Sequence, residues 1–477
     1  MKPVNIAKNT SYFTLALILQ KVISFSYFII IARNIGPEDL GKYYFAISFT
    51  TIFAIFIDIG MTSVLVREVA KHKDRVNKYV QNTIGLKIIL LVFSWLTVFI
   101  LINVMKYPQI TKDLVYLSSI AMILDSFTLT FFGISRGYHN LKFESIAVVV
   151  YQLVSLVFGL LALHFGLSLR WLMAAIVFAS LINFLYSLLI AAIKWKISLK
   201  PSFDFDFIKN IITMALPFAL FGIFQRLYTY FDSILLSLLA GDTYVGLYSV
   251  AFKITFALQF LPLAFAASLY PAMSAYYVHD KEKLGQMFER AMHYLIIIAL
   301  PISFGIIMLA DKIILIFKSE YSGSILPLQI VVASLFFIFT SYPIGSLLNA
   351  CDKQKINTIN MAVVLIVSIT MNMILIPKYQ AVGAGITVLV TNFLLLILGM
   401  IWVPTLIKYN YLHIGKILGK SLFSVLIMAV ILFYLKTFYS VFLLVVLGGV
   451  IYFGVLYLIK GFKKEDVVSI ARSFIYK

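Results

Sequence analysis

Four basic and three acidic residues lie inside stretches apolar enough to cross a membrane: Lys21, Lys87, Arg226 and Lys253, and Asp58, Asp125 and Asp232. A charge at bilayer depth costs about 2.5–3.5 kcal/mol on insertion scales, so such residues are usually kept for a purpose. A cation facing a water-filled cavity binds an anion through charge-assisted hydrogen bonds. A carboxylate in the same position takes up a proton or a metal cation. The structural alternatives are an ion pair, or a long side chain whose head reaches back to the interface.

Lys21 sits in the middle of LALILQKVISFSYFIII (residues 15–31), about ten residues from either end and too deep for easy snorkelling, with Gln20 and Ser24 beside it. Arg226 follows Gln225 and has Thr229, Tyr230 and Ser233 on neighbouring turns. Lys253 lies in the outer third of its stretch. Lys87 lies within two turns of an end, where snorkelling is the favoured reading. Asp58 is placed to pair with Arg67, and Asp125 with Lys21 or Lys87. Asp232 is the strongest candidate for an ion or proton site; six residues from Arg226, it points to a different helical face and is not its i,i+4 partner.

These charges need a membrane scaffold, and the composition supplies one. Of 477 residues, 62% are hydrophobic and 12% charged, against about 25% charged in soluble domains. Apolar stretches of about 20 residues occur near 11–32, 43–64, 79–104, 114–134, 145–165, 171–193, 209–239, 246–271, 290–310, 325–349, 357–376, 382–407, 418–435 and 439–459. The expected fold is therefore an all-α polytopic membrane protein of about fourteen transmembrane helices joined by short loops. The first stretch reads as an uncleaved span, because no small-residue cleavage site follows it.

With the N-terminus inside, twenty-six basic residues fall in cytoplasmic loops and nine in outer ones, which favours N-in, C-in topology in the cell membrane. That bias accounts for the net charge of +19 without nucleic acid.

The chain also repeats itself. ALILQKVISFSYFIIIARNIGPEDLGKYYFAIS (16–48) aligns without a gap on FGIFQRLYTYFDSILLSLLAGDTYVGLYSVAFK (221–253). Gln20 falls on Gln225, Lys21 on Arg226, Gly36 on Gly241, Gly41 on Gly246, Tyr43 on Tyr248 and Ala46 on Ala251. Six spans separate the copies, so both halves have the same orientation. A parallel repeat of this kind places binding at the interface between halves. The expected organisation is a six-helix lobe at 1–200, a second at 201–410, and two further helices with a cytoplasmic tail at 411–477. The glycines are expected to form tight outer turns, and Pro217, Pro262, Pro301, Pro343 and Pro404 to kink spans.

The stretches ARNIGPEDLGKYYFA, IFIDIGMTSVLVREVAK, ALPFALFGIFQRLYTYFDSILL, GDTYVGLYSVAFKI and MNMILIPKYQAVGAGI resemble, in order and over most of residues 10–400, the polysaccharide-unit flippases of the multidrug/oligosaccharidyl-lipid/polysaccharide exporter superfamily. The resemblance implies two six-helix lobes around a central cavity and alternating access. It further implies a lipid-linked oligosaccharide as cargo, moved from the inner to the outer leaflet. Relatives line that cavity with basic residues near the first and eighth spans, where Lys21 and Lys253 sit. Substrate-binding residues are thus expected at Lys21, Arg226, Lys253, Gln20 and Gln225. Some sodium-coupled relatives build a cation site from the seventh, eleventh and twelfth spans. Asp232, Asn372 and Thr391 match it here, while Ile376 stands where a second acid is expected. The expected partners are the lipid-linked oligosaccharide, membrane lipids and a glycan polymerase or ligase.

Enzymatic chemistry finds little support. No P-loop is present, the six histidines lack metal-ligand spacing, and no cofactor is implied. DFD at 204–206 reads as a helix cap and interfacial start to the seventh span rather than a sugar-nucleotide site. The alternative function is an ion-coupled exporter of small cationic or amphipathic molecules on the same fold.

Overall fold

The computed structural model describes residues 6–462, and no strand occurs among them. In hydrocarbon every backbone amide must find its partner within the segment, which leaves helices as the solution for such a sequence. The α-helices are α1 Ile6–Asp58, α2 Met61–Lys71, α3 Val76–Val104, α4 Gln109–Gly137, α5 Lys142–His164, α6 Leu169–Leu189, α7 Phe205–Leu239, α8 Asp242–Leu258, α9 Phe260–His279, α10 Lys281–Leu315, α11 Ile325–Ala333, α12 Leu335–Ala350, α13 Gln354–Leu406, α14 Tyr411–Leu435 and α15 Val441–Leu458.

Among the described residues, 11 helical runs are long and apolar enough to cross a membrane. A twelfth is α7, whose segments Phe205–Leu216 and Ala219–Leu239 are inclined at 57°. Pro217, the residue expected to bend it, lies outside the residues whose side chains are described. Two runs are each a pair of crossings: α1 breaks at Gly36 (φ 73°, ψ 171°) and α13 at Gln380 (φ 49°, ψ −125°). Counted so, the crossings match the expected fourteen. Pro301 and Pro343 lie inside continuous helices.

The chain forms two compact units, Met1–Gly246 and Leu247–Lys477. In the first, α1 packs against α3, α4, α5 and α7, while α6 covers α4 and α5. Its end is closed by an apolar cluster in which Met61, Leu65 and Val69 meet Val80, Ile84, Phe131, Ile134 and Ile211. In the second, α10 is central and contacts α9, α11, α12, α14 and α15. One side of α10 buries Leu284 and Phe288 with Leu347 and Val403, and the other buries Ile296 and Leu300 with Val425, Met428 and Tyr452.

The repeat glycines divide into two roles. Gly36 and Gly241 both have positive φ (73° and 101°) and make turns, as expected. Gly41 and Gly246 make no turn; each lies within a helix where a backbone comes close. A Cβ on Gly41 would strike the carbonyl of Asp242, and one on Gly246 the carbonyl of Pro37. The two copies of G-x4-G thus interlock reciprocally inside the first unit, each notch receiving the other copy's turn. Tyr43 and Tyr248, and Ala46 and Ala251, are buried alike.

The second span, expected over 43–64, ends at Asp58. Ile59 (φ 39°) and Gly60 (φ 72°) are left-handed, and the chain restarts as the separate amphipathic helix α2. The apolar run continues through this break, so hydropathy alone does not register it. Asp58 holds the corner. Its carboxylate accepts the Thr62 hydroxyl at 2.5 Å and the Thr62 amide at 3.4 Å. It also pairs with the Lys87 ammonium at 2.7 Å.

Two expectations are corrected by this pair. Lys87 does not snorkel: its side chain is 0% exposed, and the ammonium also donates to the Ser126 carbonyl (2.8 Å) and hydroxyl (3.2 Å). Nor does Asp58 pair with Arg67, whose Nε donates to Glu68 at 2.8 Å. Asp58 and Lys87 lie at matching depth on adjacent antiparallel spans, a signal that the sequence did carry.

Asp204 caps α7 as expected, accepting the Phe207 amide at 3.1 Å and pairing with Lys78 at 2.9 Å. The Lys78 ammonium, and then the Phe207 amide, hold its carboxyl below the usual carboxylate range. A carboxylate whose folded-state pKa is depressed stabilises above its unfolded value of about 3.9 and loses that contribution as pH falls through the folded value. Below about pH 4, protection of the Phe207 amide against hydrogen exchange, corrected for intrinsic rate, is expected to fall. In Asp204→Asn, which keeps a capping acceptor, it is expected to stay level across that range.

For the buried pair, Lys87→Met leaves Asp58 without its counter-charge. It is expected to cost about 3 kcal/mol, the low end for a broken buried pair because Asp58 keeps some exposure. Lys87→Met combined with Asp58→Leu is expected to recover most of the loss in detergent unfolding. Equal damage from the single and double variants would show that the pair itself contributes nothing.

Candidate functional site

Of the residues expected to bind substrate, four lie in the first unit. The first half of α1 carries Gln20 and Lys21, both half-buried, with Ser24 one turn on. The α7 helix, which packs on α1, carries the exposed Gln225 and the half-buried Arg226. The Arg226 Nη1 donates to the Thr51 carbonyl at 3.4 Å, a long bond that places the guanidinium beside the second half of α1. Tyr230 lies next to it, one turn along. No carboxylate pairs with Arg226 among the described residues. A guanidinium has five N–H donors in a planar fork, so a single long carbonyl contact leaves most of that fork for another acceptor.

Asp232, also in the first unit, is buried, with 4% of its surface exposed. Asp125 is half-buried on α4 beside Ser180 and Tyr151. It makes no ion pair among the described residues, so the expected pairing with Lys21 or Lys87 is not found. Tyr27 reaches the same region because Gly159 leaves space for its ring; a Cβ there would strike the phenol.

In the second unit, Lys253 is half-buried on α8. Asn372 and Thr391 are buried on opposite sides of the Gln380 break in α13. The Thr391 hydroxyl donates to the Thr387 carbonyl at 2.6 Å. Ile376, at the position of an expected second acid, is fully buried. Among the described residues no group of three or more His, Cys, Asp or Glu side chains is placed to hold a metal ion.

The structure therefore separates two of the membrane cations by their partners. Lys87 is neutralised by Asp58 and two serine oxygens. Arg226 meets only neutral groups among the described residues. Sequence depth alone did not separate these two situations.

Comparison with known proteins agrees with this architecture. The family described as polysaccharide biosynthesis protein matches residues 6–277, and the MatE family matches residues 217–377. A capsular polysaccharide biosynthesis protein of Staphylococcus aureus, CapF, is 24% identical over 393 residues, covering 82% of this chain and 97% of its own length. A protein of Haloferax volcanii named as a probable low-salt glycan biosynthesis flippase is 21% identical and is covered over 89% of each chain. Among solved structures, the lipid II flippase MurJ in an inward closed conformation superposes with a TM-score of 0.79 at 15% identity, over 96% of this chain and 99% of that one. At that identity the likeness speaks for the fold. The family match, which spans more than half of the sequence, goes further: this chain belongs to the polysaccharide biosynthesis protein family, multi-pass membrane transporters of the multidrug/oligosaccharidyl-lipid/polysaccharide exporter superfamily.

Proposed function

We propose that the protein is a flippase that carries a polyprenyl- or dolichyl-(di)phosphate-linked oligosaccharide from the inner to the outer leaflet of the cell membrane by alternating access. The observation that carries this reading is Arg226, a half-buried guanidinium within a membrane helix that has no carboxylate partner among the described residues. A phosphate linkage is the ligand that such a planar fork matches best. Lys21, at the equivalent place in the repeat, supplies a second cation; Gln20 and Gln225 supply neutral donors, and Lys253 a further charge. Relatives named for capsular polysaccharide and glycan flipping support the same cargo class.

The N-in, C-in topology rests on the excess of lysine and arginine in the loops assigned to the cytoplasm. With that orientation, an inside-negative potential favours outward movement of an anionic headgroup, by up to about 2.3 kcal/mol per charge per 100 mV. The lobes at 1–200 and 201–410 then alternate access, and a glycan polymerase or ligase receives the product outside. Asp232, Asn372 and Thr391 are the groups proposed for ion or proton coupling. A second reading, ion-coupled export of small cationic or amphipathic molecules, draws on the MatE match and on the burial of Asp232.

Headgroup translocation in proteoliposomes tests the proposal, with a lipid-linked oligosaccharide offered to wild type and to Lys21→Ala and Arg226→Ala variants of equal stability. A hydrogen bond to a charged group contributes about 1.5–3 kcal/mol, so each variant is expected to flip at least about tenfold more slowly. Lys21→Arg is expected to retain activity. Normal flipping by both alanine variants would remove these cations from the site, and an inert wild type would move the small-molecule exporter forward.

A further inference from the structure

Each unit closes one end of its bundle in the same way. In the first, the connection between α6 and α7 lies across the start of α3. The Ser202 amide donates to the Gln81 carbonyl at 3.1 Å, and the Asp204 amide to Asn82 Oδ1 at 2.9 Å. Gly85 makes this approach possible, since a Cβ there would strike the Ser202 carbonyl.

In the second unit, the connection between α13 and α14 lies across the start of α10. Gly285 faces the Lys408 carbonyl in the same manner, and the Asn410 amide donates to Glu289 Oε1 at 2.6 Å. Asp204 then caps α7, as Asn410 caps α14 through the His413 amide at 3.0 Å. These connections stand six spans apart, as the parallel repeat requires.

Beside each docked connection is a cavity. The first, of about 460 Å³, is lined by Arg75, Lys78, Tyr79, Phe207, Asn210 and Met214. The second, of about 630 Å³, is lined by Lys281, Glu282, Pro404, Thr405 and Lys408. Both contain two cations, and in both a lysine is steadied by a ring: Lys78 stands 4.6 Å over Phe207, and Lys281 5.7 Å over Tyr277. Acids are present too, since Asp204 pairs with Lys78 and Glu282 lines the second cavity. Lys281 and Lys408 make no ion pair among the described residues.

The bland account of these lysines is the general excess of positive charge in cytoplasmic loops. It predicts scattered, solvated side chains. It does not predict two cations and a neutral hydrogen-bonding side chain lining one cavity, with one of the lysines set over a ring, twice beside the same kind of docked connection. Basic groups immediately outside a span recognise anionic lipid headgroups, and Asn210 and Thr405 add neutral hydrogen-bonding groups of the kind a phosphate ester uses.

We propose that these two repeat-related cavities are seats for the phosphate headgroups of anionic membrane lipids, one on each unit. They are distinct from the Lys21 and Arg226 site, and they hold lipid whether or not cargo is being moved. Their placement in the inner leaflet follows from the N-in orientation proposed above.

The test uses the full chain, reconstituted in phosphatidylcholine with or without phosphatidylglycerol, with retained lipid read by native mass spectrometry. Attraction changes about fivefold per cation, so Arg75→Gln/Lys78→Gln and Lys281→Gln/Lys408→Gln are each expected to weaken phosphatidylglycerol retention about twenty-fivefold. Lys194→Gln/Lys196→Gln, an exposed basic pair outside both cavities, is expected to leave it unchanged.

Equal weakening by that control pair would overturn the proposal in favour of diffuse surface attraction. Complete displacement of the lipid by inorganic phosphate at millimolar concentration would also overturn it, because the seat would then be one for the free ion. If loss of Lys78 unfolds α7 through Asp204, the Lys281/Lys408 variant carries the test alone. Lipid retention is read without any flipping assay, so failure here and failure of the flippase reading are separately visible.

Discussion

The ammonium of Lys87, with no exposed surface, is tied to the carboxylate of the last residue in the second span, and much of the first unit is organised around that bond. Asp58 simultaneously accepts from Thr62 and so fixes the left-handed corner that starts α2. Lys87 simultaneously donates to Ser126 and so brings α4 against α3. A charge that cannot reach water requires neutralisation, and the helices that supply the neutralising groups have little freedom to move apart.

Against that satisfied pair, Arg226 stands out by difference. Arg226 sits at half-burial with one long contact to a backbone carbonyl, and the repeat matches it to Lys21. Structural charges in a membrane protein end in partners; charges that serve a translocated anion keep donor capacity for it. The distinction is one of hydrogen bonds rather than depth, and it supports a cationic site suited to a phosphate linkage.

The repeat shows how one sequence pattern performs several tasks. Gly36 and Gly241 are needed for their positive φ, while Gly41 and Gly246, five residues later, are needed for having no side chain where a carbonyl approaches. Gly85 and Gly285 do the same at the other ends of their bundles, although the gapless alignment did not bring them into register. Backbone proximity preserved the arrangement where sequence identity did not.

Apolar length and the 16–48 to 221–253 repeat were enough to read an all-helical chain of about fourteen spans, because the bilayer permits few other solutions for such a composition. They also located Lys87 and Asp232, though not Glu68 and Glu144, two further buried acids that pair with Arg67 and Arg136. Pairing was decided only by tertiary structure. Lys87 chose Asp58 rather than the interface, Asp58 turned away from Arg67, and Asp125 found hydroxyl neighbours and no cation. The second span stopped at Asp58 although its hydropathy continued, because two left-handed residues and a carboxylate cap ended the helix. Hydropathy is a property of each residue, and a single sequence carries it in full; an ion pair or a glycine notch is a property of two segments at once, and it exists only after the helices have met.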